Sequence, residues 1–146
     1  MFFAAVETTN AQSNKEEIDL FQSIFGMEKK ALVADFLKVE SSDPFWPIYD
    51  AYETERKELG IERINLLSKY VENYESLTDE DYDKIIADMI SLRKRTDKLI
   101  DTYYTKIKKE SGSKTAAQFF QIEGYVLIEV RAAIMEGIPY IGQFDN

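Results

Sequence analysis

Between Pro47 and Pro139 the chain contains no proline, and apolar residues recur through that stretch at helical spacing. Proline removes a backbone donor and clashes with the preceding turn, so a long run without it permits long helices. Apolar side chains recurring every three or four residues give each helix a face to bury. The expected fold is all-α: an antiparallel bundle of three long helices, at about 44–74, 78–110 and 114–136. Two shorter N-terminal helices, from about Asn14 to Phe25 and Met27 to Val39, are expected to pack across it.

Local signals place the ends. Asn14 with Glu17 three residues on has the form of a helix start, and Gly26 reads as a stop. In the second short helix Ala31, Leu32, Phe36 and Val39 read as the apolar side, against Lys29, Lys30, Asp35 and Lys38. Asp43-Pro44 opens the first long helix, with Asp43 as cap and Pro44 in the first turn. Its apolar register slips near Gly60, which predicts a local irregularity. Thr78 followed by Asp81 resembles a capping box for the second long helix, and Ser111-Gly112-Ser113 ends it. The third long helix is apolar on most sides. Its tightest stripe is Ala117, Phe120, Gly124, Leu127 and Val130, and Gly137-Ile138-Pro139 stops it.

Residues 1–13 stand apart. Met1-Phe2-Phe3-Ala4-Ala5-Val6 is apolar, and the residues up to Gln12 are small or polar. That pattern has the form of a secretory signal-peptide remnant or a disordered tail, and it is set aside from the fold. Residues 14–146 then form one helical domain, a length within the usual range. No segment carries the roughly 18 consecutive apolar residues that span a bilayer.

Composition narrows the chemistry. With 27 acidic and 18 basic residues the net charge is −9, which disfavours nucleic acid and anionic membrane surfaces. The chain has no His and no Cys. Thiolate zinc sites, cysteine nucleophiles, the commonest metal ligand and the commonest general base are therefore absent from its repertoire. Asp79, Asp81 and Asp83 lack the glycine and terminal Glu of an EF-hand loop. Glu53, Glu123 and Glu129 are the carboxylates most able to approach a hard cation, but no metal or cofactor is expected. No Gly-rich phosphate loop or nucleophile elbow occurs.

Two groups of residues stand out against this background. The first is polar: Gln118, Gln121, Glu123 and Arg131 in the last long helix, with Arg56 and Arg63 in the first. A carboxylate among apolar neighbours needs a cation or donor, so Glu123 is expected to meet Arg56 or Arg63 and fix helix register. The second is aromatic. Trp46, Tyr49, Tyr52 and Tyr104 combine area with a polar tip, which suits either core edge or an interaction face.

The blocks Phe45-Trp46-Pro47-Ile48-Tyr49, Tyr74-Glu75-Ser76-Leu77-Thr78-Asp79 and Ala116-Ala117-Gln118-Phe119-Phe120-Gln121-Ile122-Glu123, ending at Ile138-Pro139, resemble a family of small exported helical proteins of bacteria. The resemblance covers about 45–141 and implies a periplasmic or secreted location. More distantly, Leu77-Thr78 before a charged helix is similar to the repeated element of Spy/CpxP-type periplasmic chaperones, with Asp81 where those carry Gln. The expected function is non-catalytic binding of protein segments, chaperone-like or stress-associated. The alternatives are a structural protein that self-associates through its aromatic face and an enzyme built on carboxylates.

Overall fold

The computed structural model describes residues 25–145, and the chain divides into two units after Lys38. Within the first unit, residues 25–37 form one helix, α1. The signal-peptide remnant or tail expected over 1–13, and the expected first short helix up to residue 24, lie outside the described residues.

α1 runs through Gly26, so this glycine does not stop a helix as the sequence suggested. Glycine costs a helix about 1 kcal/mol relative to alanine but does not break it. The buried side is Lys29, Val33 and Leu37, one position every four residues, while Leu32 and Phe36 are exposed. The expected apolar side is thus rotated. Lys38 closes the helix with φ 54° and donates its N–H to the Ala34 carbonyl at 2.9 Å.

The second unit holds α2 (Phe45–Glu72), a 3-10 turn (Tyr74–Ser76), α3 (Asp79–Ser111) and α4 (Ser113–Gly137). With α1 this makes four α-helices among the described residues and no strand, against the five helices expected. α2 passes Gly60 without interruption, so the slip in its apolar register is absorbed within regular helix.

Capping chemistry accounts for the boundaries. The Asp43 carboxylate accepts the Phe45 N–H at 2.8 Å and the Ser111 hydroxyl at 2.8 Å, which ties the start of α2 to the end of α3. At α3, Thr78 Oγ1 accepts the Asp81 N–H at 3.2 Å while Asp81 accepts the Thr78 N–H at 2.8 Å. That capping box satisfies donors the helix itself cannot, and it holds the Asp81 carboxyl below its usual range. Gly112 alone joins α3 to α4, with φ 89° and ψ 168°. This backbone region is open essentially only to glycine, and it allows the chain to reverse in one residue.

Contacts fix the helix directions. Along α2, Asp43, Tyr52 and Glu62 meet Ser111, Tyr103 and Arg95 of α3 in turn, so the two run antiparallel. Phe45, Tyr52 and Tyr70 meet Phe119, Glu123 and Pro139, so α2 and the last segment run parallel. The topology of the second unit is therefore up-down-up.

Its core is concentrated near the α3–α4 turn. Phe45, Tyr49 and Tyr52 of α2, Tyr103 and Ile107 of α3, and Ala116, Phe119 and Ile122 of α4 are all buried. The rings interlock edge-on: Tyr52 lies 5.1 Å from Phe119 and 5.5 Å from Tyr103, and Phe45 lies 6.5 Å from Phe119. Burial of a ring such as Phe45 or Phe119 contributes roughly 1.5–3 kcal/mol. Leu92, Thr96 and Ile100 extend the seam along α3, with the Thr96 hydroxyl satisfied by the Leu92 carbonyl at 2.8 Å.

Along α4 the buried residues are Ala116, Phe119, Ile122, Glu123 and Val126. Phe120 and Ala117, expected on the tightest face, are exposed. Beyond α4, residues 138–145 fold back onto α2. Tyr70 donates to the Pro139 carbonyl at 2.7 Å, Tyr74 donates to the Tyr140 carbonyl at 2.9 Å, and Tyr74 packs on Phe144 at 6.0 Å.

Candidate functional site

Glu123 is the most deeply placed charged residue of the second unit, at 0% exposure. α4 presents it inward between Phe119 and Val126, where hydrocarbon alone would make a carboxylate very costly. The Tyr52 hydroxyl of α2 donates to Glu123 Oε1. One turn further along α2, Arg56 adds a positive field, while its own guanidinium grips Glu53 in a two-point pair at 3.0 and 2.9 Å. Burial, the largest single influence, pulls the Arg56 guanidinium down, but the hydrogen bond to Glu53 together with the charges of Glu53 and Glu123 outweighs it and the net shift is upward.

The phenols respond to the same surroundings. Burial, and then the charge of Glu123 and its hydrogen bond, push the Tyr52 phenol far above its ordinary range. Tyr49 is raised as well, by burial and then by Glu53 and Glu123, and its hydroxyl has no hydrogen-bond partner. Tyr103 is pushed up to about 12 by burial and then by its hydrogen bond to Glu55, with Lys106 Nζ 4.5 Å from its ring centre. Chemically this is a neutral-phenol and carboxylate cluster sealed in a core. Tyr52 and Glu123 are both fully buried, and their hydrogen bond joins α2 to α4, a geometry that suits fixing the two helices in register.

The polar residues singled out in the sequence separate into three places. Glu123 and Arg56 share the cluster just described. Arg63 and Arg131 sit together further along α2 and α4, away from Glu123. Burial first, and the Arg131 charge second, pull the Arg63 guanidinium down. Gln121 is exposed on the far side of α4. The carboxylates able to approach a cation do not gather either. Glu53 is held by Arg56, Glu123 by Tyr52, and Glu129 is exposed. Among the described residues no three acidic side chains converge as a metal site would require.

The aromatic residues also divide. Tyr49 and Tyr52 are fully buried, so they form core and present no face to a partner. Trp46 is half-buried, with its indole N–H donated to the Glu40 carbonyl at 3.1 Å. Tyr104 is half-buried and packs edge-on against Phe120 at 5.9 Å.

Phe120 leads to a surface that the sequence did not single out. On α4, Phe120, Tyr125, Ile128 and Met135 are 52%, 57%, 66% and 61% exposed. At 3.6 residues per turn these four positions fall within an arc of about 140°. Beside them a groove of about 420 Å³ runs between α3 and α4, floored by Ile100, Gly124 and Leu127 and bordered by Asp97 and Asp101. The signal was present in the sequence, since a helix apolar on most sides must leave some apolar surface outside a three-helix packing. A second cleft, of about 550 Å³, lies where α2 ends and α3 begins. Leu66, Leu77, Ile85 and Leu92 line it together with Lys69, Asn73 and Asp88.

Among the described residues no helix is long and apolar enough to cross a membrane. No protein-family model matches the chain, and no curated protein or solved structure matches it.

Proposed function

We propose that this protein is a non-catalytic binding module that holds apolar protein segments on the outer face of α4. One observation carries the reading: Phe120, Tyr125, Ile128 and Met135 are each more than half exposed on one arc of a single helix. Contiguous apolar surface is a cost for a soluble chain unless it meets something, and such surfaces mark protein or ligand contacts. The adjoining groove supplies depth for one or two partner side chains, and Tyr104 borders it beside Phe120. Met135 and the aromatic residues suit a surface that adapts to several partners. Asp97 and Asp101 at the rim, together with a net charge of −9, favour segments with basic residues next to apolar ones.

The reading includes a periplasmic or secreted location. It is supported by the Met1–Gln12 pattern and by the resemblance to small exported helical proteins and to Spy/CpxP-type chaperones. The absence of His and Cys, and the sealing of the Tyr52–Glu123 cluster, support a role without catalysis.

The test is suppression of aggregation of a reduced, unfolding model protein. The wild-type chain is expected to delay aggregation at near-stoichiometric ratios. A Phe120→Ser, Ile128→Ser double variant, checked by circular dichroism to be folded, is expected to lose most of that protection. Equal protection by the double variant refutes the assignment to α4. Self-association through the same face is the competing reading, and a concentration-dependent dimer abolished by the double variant favours it.

A further inference from the structure

We infer that Arg63 and Arg131 together form a binding site for an oxyanion of the carboxylate or phosphate class, between α2 and α4. The Tyr52–Glu123 and Tyr70–Pro139 hydrogen bonds set α2 and the last segment in parallel register, and that register brings Arg63 to within a turn of Arg131 along the helices. Both side chains are only half exposed. Two donors of Arg131, Nε and Nη2, are buried from solvent and have no hydrogen-bond acceptor. Among the described residues neither arginine forms an ion pair, whereas Glu53 and Glu62 are paired with Arg56 and Arg95 nearby.

Two positive groups held side by side repel one another, and buried donors without acceptors lose hydrogen bonds they had in water. A tetrahedral or planar oxyanion removes both costs at once. The Nε and Nη2 donors of one guanidinium form a fork that matches two oxygens, and the second guanidinium supplies charge from the opposite helix. Asp97 and Asp101 line the groove that ends at Arg131, and their charge disfavours a large polyanion at its mouth. The site therefore suits a small anion or a single carboxylate. Arg131 borders the same groove as Phe120 and Ile128, but anion binding is read at the arginines themselves, so either assignment stands if the other falls.

The experiment measures thermal unfolding of the full chain in sodium phosphate, in N-acetylglutamate and in sodium chloride at matched ionic strength. Phosphate or N-acetylglutamate is expected to raise the midpoint by a few degrees over chloride, as ligand linkage predicts for a chain of this size. The larger rise with phosphate identifies the ligand as a free or phosphoryl anion, and the larger rise with N-acetylglutamate identifies it as a carboxylate of a partner chain. In Arg63→Gln and Arg131→Gln the rise is expected to vanish, while stability in chloride is unchanged or improved. A readout that needs no variant is the side-chain Nε–H resonance of each arginine in the wild-type protein. Those of Arg63 and Arg131 should shift and saturate with the anion, and those of Arg56, Arg93 and Arg95 should not. No anion-specific rise, or an equal rise in both variants, or shifts at all arginines alike overturns the site.

Discussion

The two ends of the three-helix unit handle polar groups inside helices in opposite ways. Near the α3–α4 turn, Glu123, Glu53, Arg56, Asp43 and Ser111 all have partners, and they sit among rings that exclude water. Toward the other end, Arg63 feels the charge of Arg131, neither forms an ion pair among the described residues, and Ile64, Leu67, Ile85 and Leu127 are only half-buried. Both ends are made of α2, α3 and α4 with similar amounts of charge, so composition does not make the difference. Packing does. Large rings on all three helices close the first end, and a charge placed in a closed core needs a partner there, as Glu123 has in Tyr52. At the second end the ring contacts, Tyr70 with Tyr74 and Tyr74 with Phe144, lie against residues 138–145 instead of between the three helices, and there charges can be left for something else to satisfy.

The comparison breaks most readily at Phe119. Phe119→Ala removes a fully buried ring that touches Phe45 and Tyr52, and it is expected to cost about 3–5 kcal/mol in chemical denaturation. Leu127→Ala, in the looser half, is expected to cost less than about half of that. Equal losses would mean that the two ends are packed alike.

A smaller effect sharpens the polar side of the comparison. Tyr52→Phe takes a donor from the buried Glu123 carboxylate and is expected to cost about 1.5–3 kcal/mol. Tyr49→Phe is the matched control, because the Tyr49 hydroxyl has no hydrogen-bond partner. Its expected cost is under about 0.5 kcal/mol, or a slight gain. Similar costs for the two variants would show that the Tyr52–Glu123 bond contributes little.

The smallest effect at neutral pH is the largest in alkali. Tyr103 moves from 10.0 to about 12, and Tyr49 and Tyr52 are raised further. A phenol whose folded value is raised stabilises the fold fully below the unfolded value and loses that contribution as pH climbs through the folded one. Stability should therefore be flat to about pH 9 and fall from about pH 10 upward. Tyrosinate absorbance from the buried rings of Tyr49, Tyr52 and Tyr103 should appear only as the chain unfolds. A single smooth titration of all nine tyrosines near 10.0 would contradict the burial of the ring cluster.

Much of the local architecture is legible in the amino-acid sequence. Thr78 with Asp81, Asp43 before Pro44, and Gly112 between serines mark helix ends, because capping depends on groups a few residues apart. Glu123 stands out for an equally simple reason: a carboxylate among apolar neighbours needs a partner from elsewhere. The facing of α4 was harder to read. With apolar residues nearly all around, periodicity does not choose a face, and the helix buries Phe119 rather than Phe120. Tyr49 and Tyr52 have the composition of an interface but lie in the core, since ring size alone does not say which side a neighbouring helix covers. The pairing of Arg63 with Arg131 rather than with Glu123 depends on helix register, which the contacts of Tyr52 and Tyr70 determine over long range. The fold-back of residues 138–145 is similar, because it rests on tyrosine hydroxyls reaching distant backbone carbonyls.

In the proposed binding mode, apolar partner segments are held on the open side of α4 and nowhere in the ring-filled core. Backbone amide resonances of the labelled full chain, followed while an unfolded, basic-apolar polypeptide is added, test it most directly. The account predicts shifts confined to Phe120, Tyr125, Ile128, Met135 and their α3 neighbours around Ile100 and Tyr104. Shifts centred on Trp46 and the cleft beside Leu77, or no shift at partner excess, would contradict it.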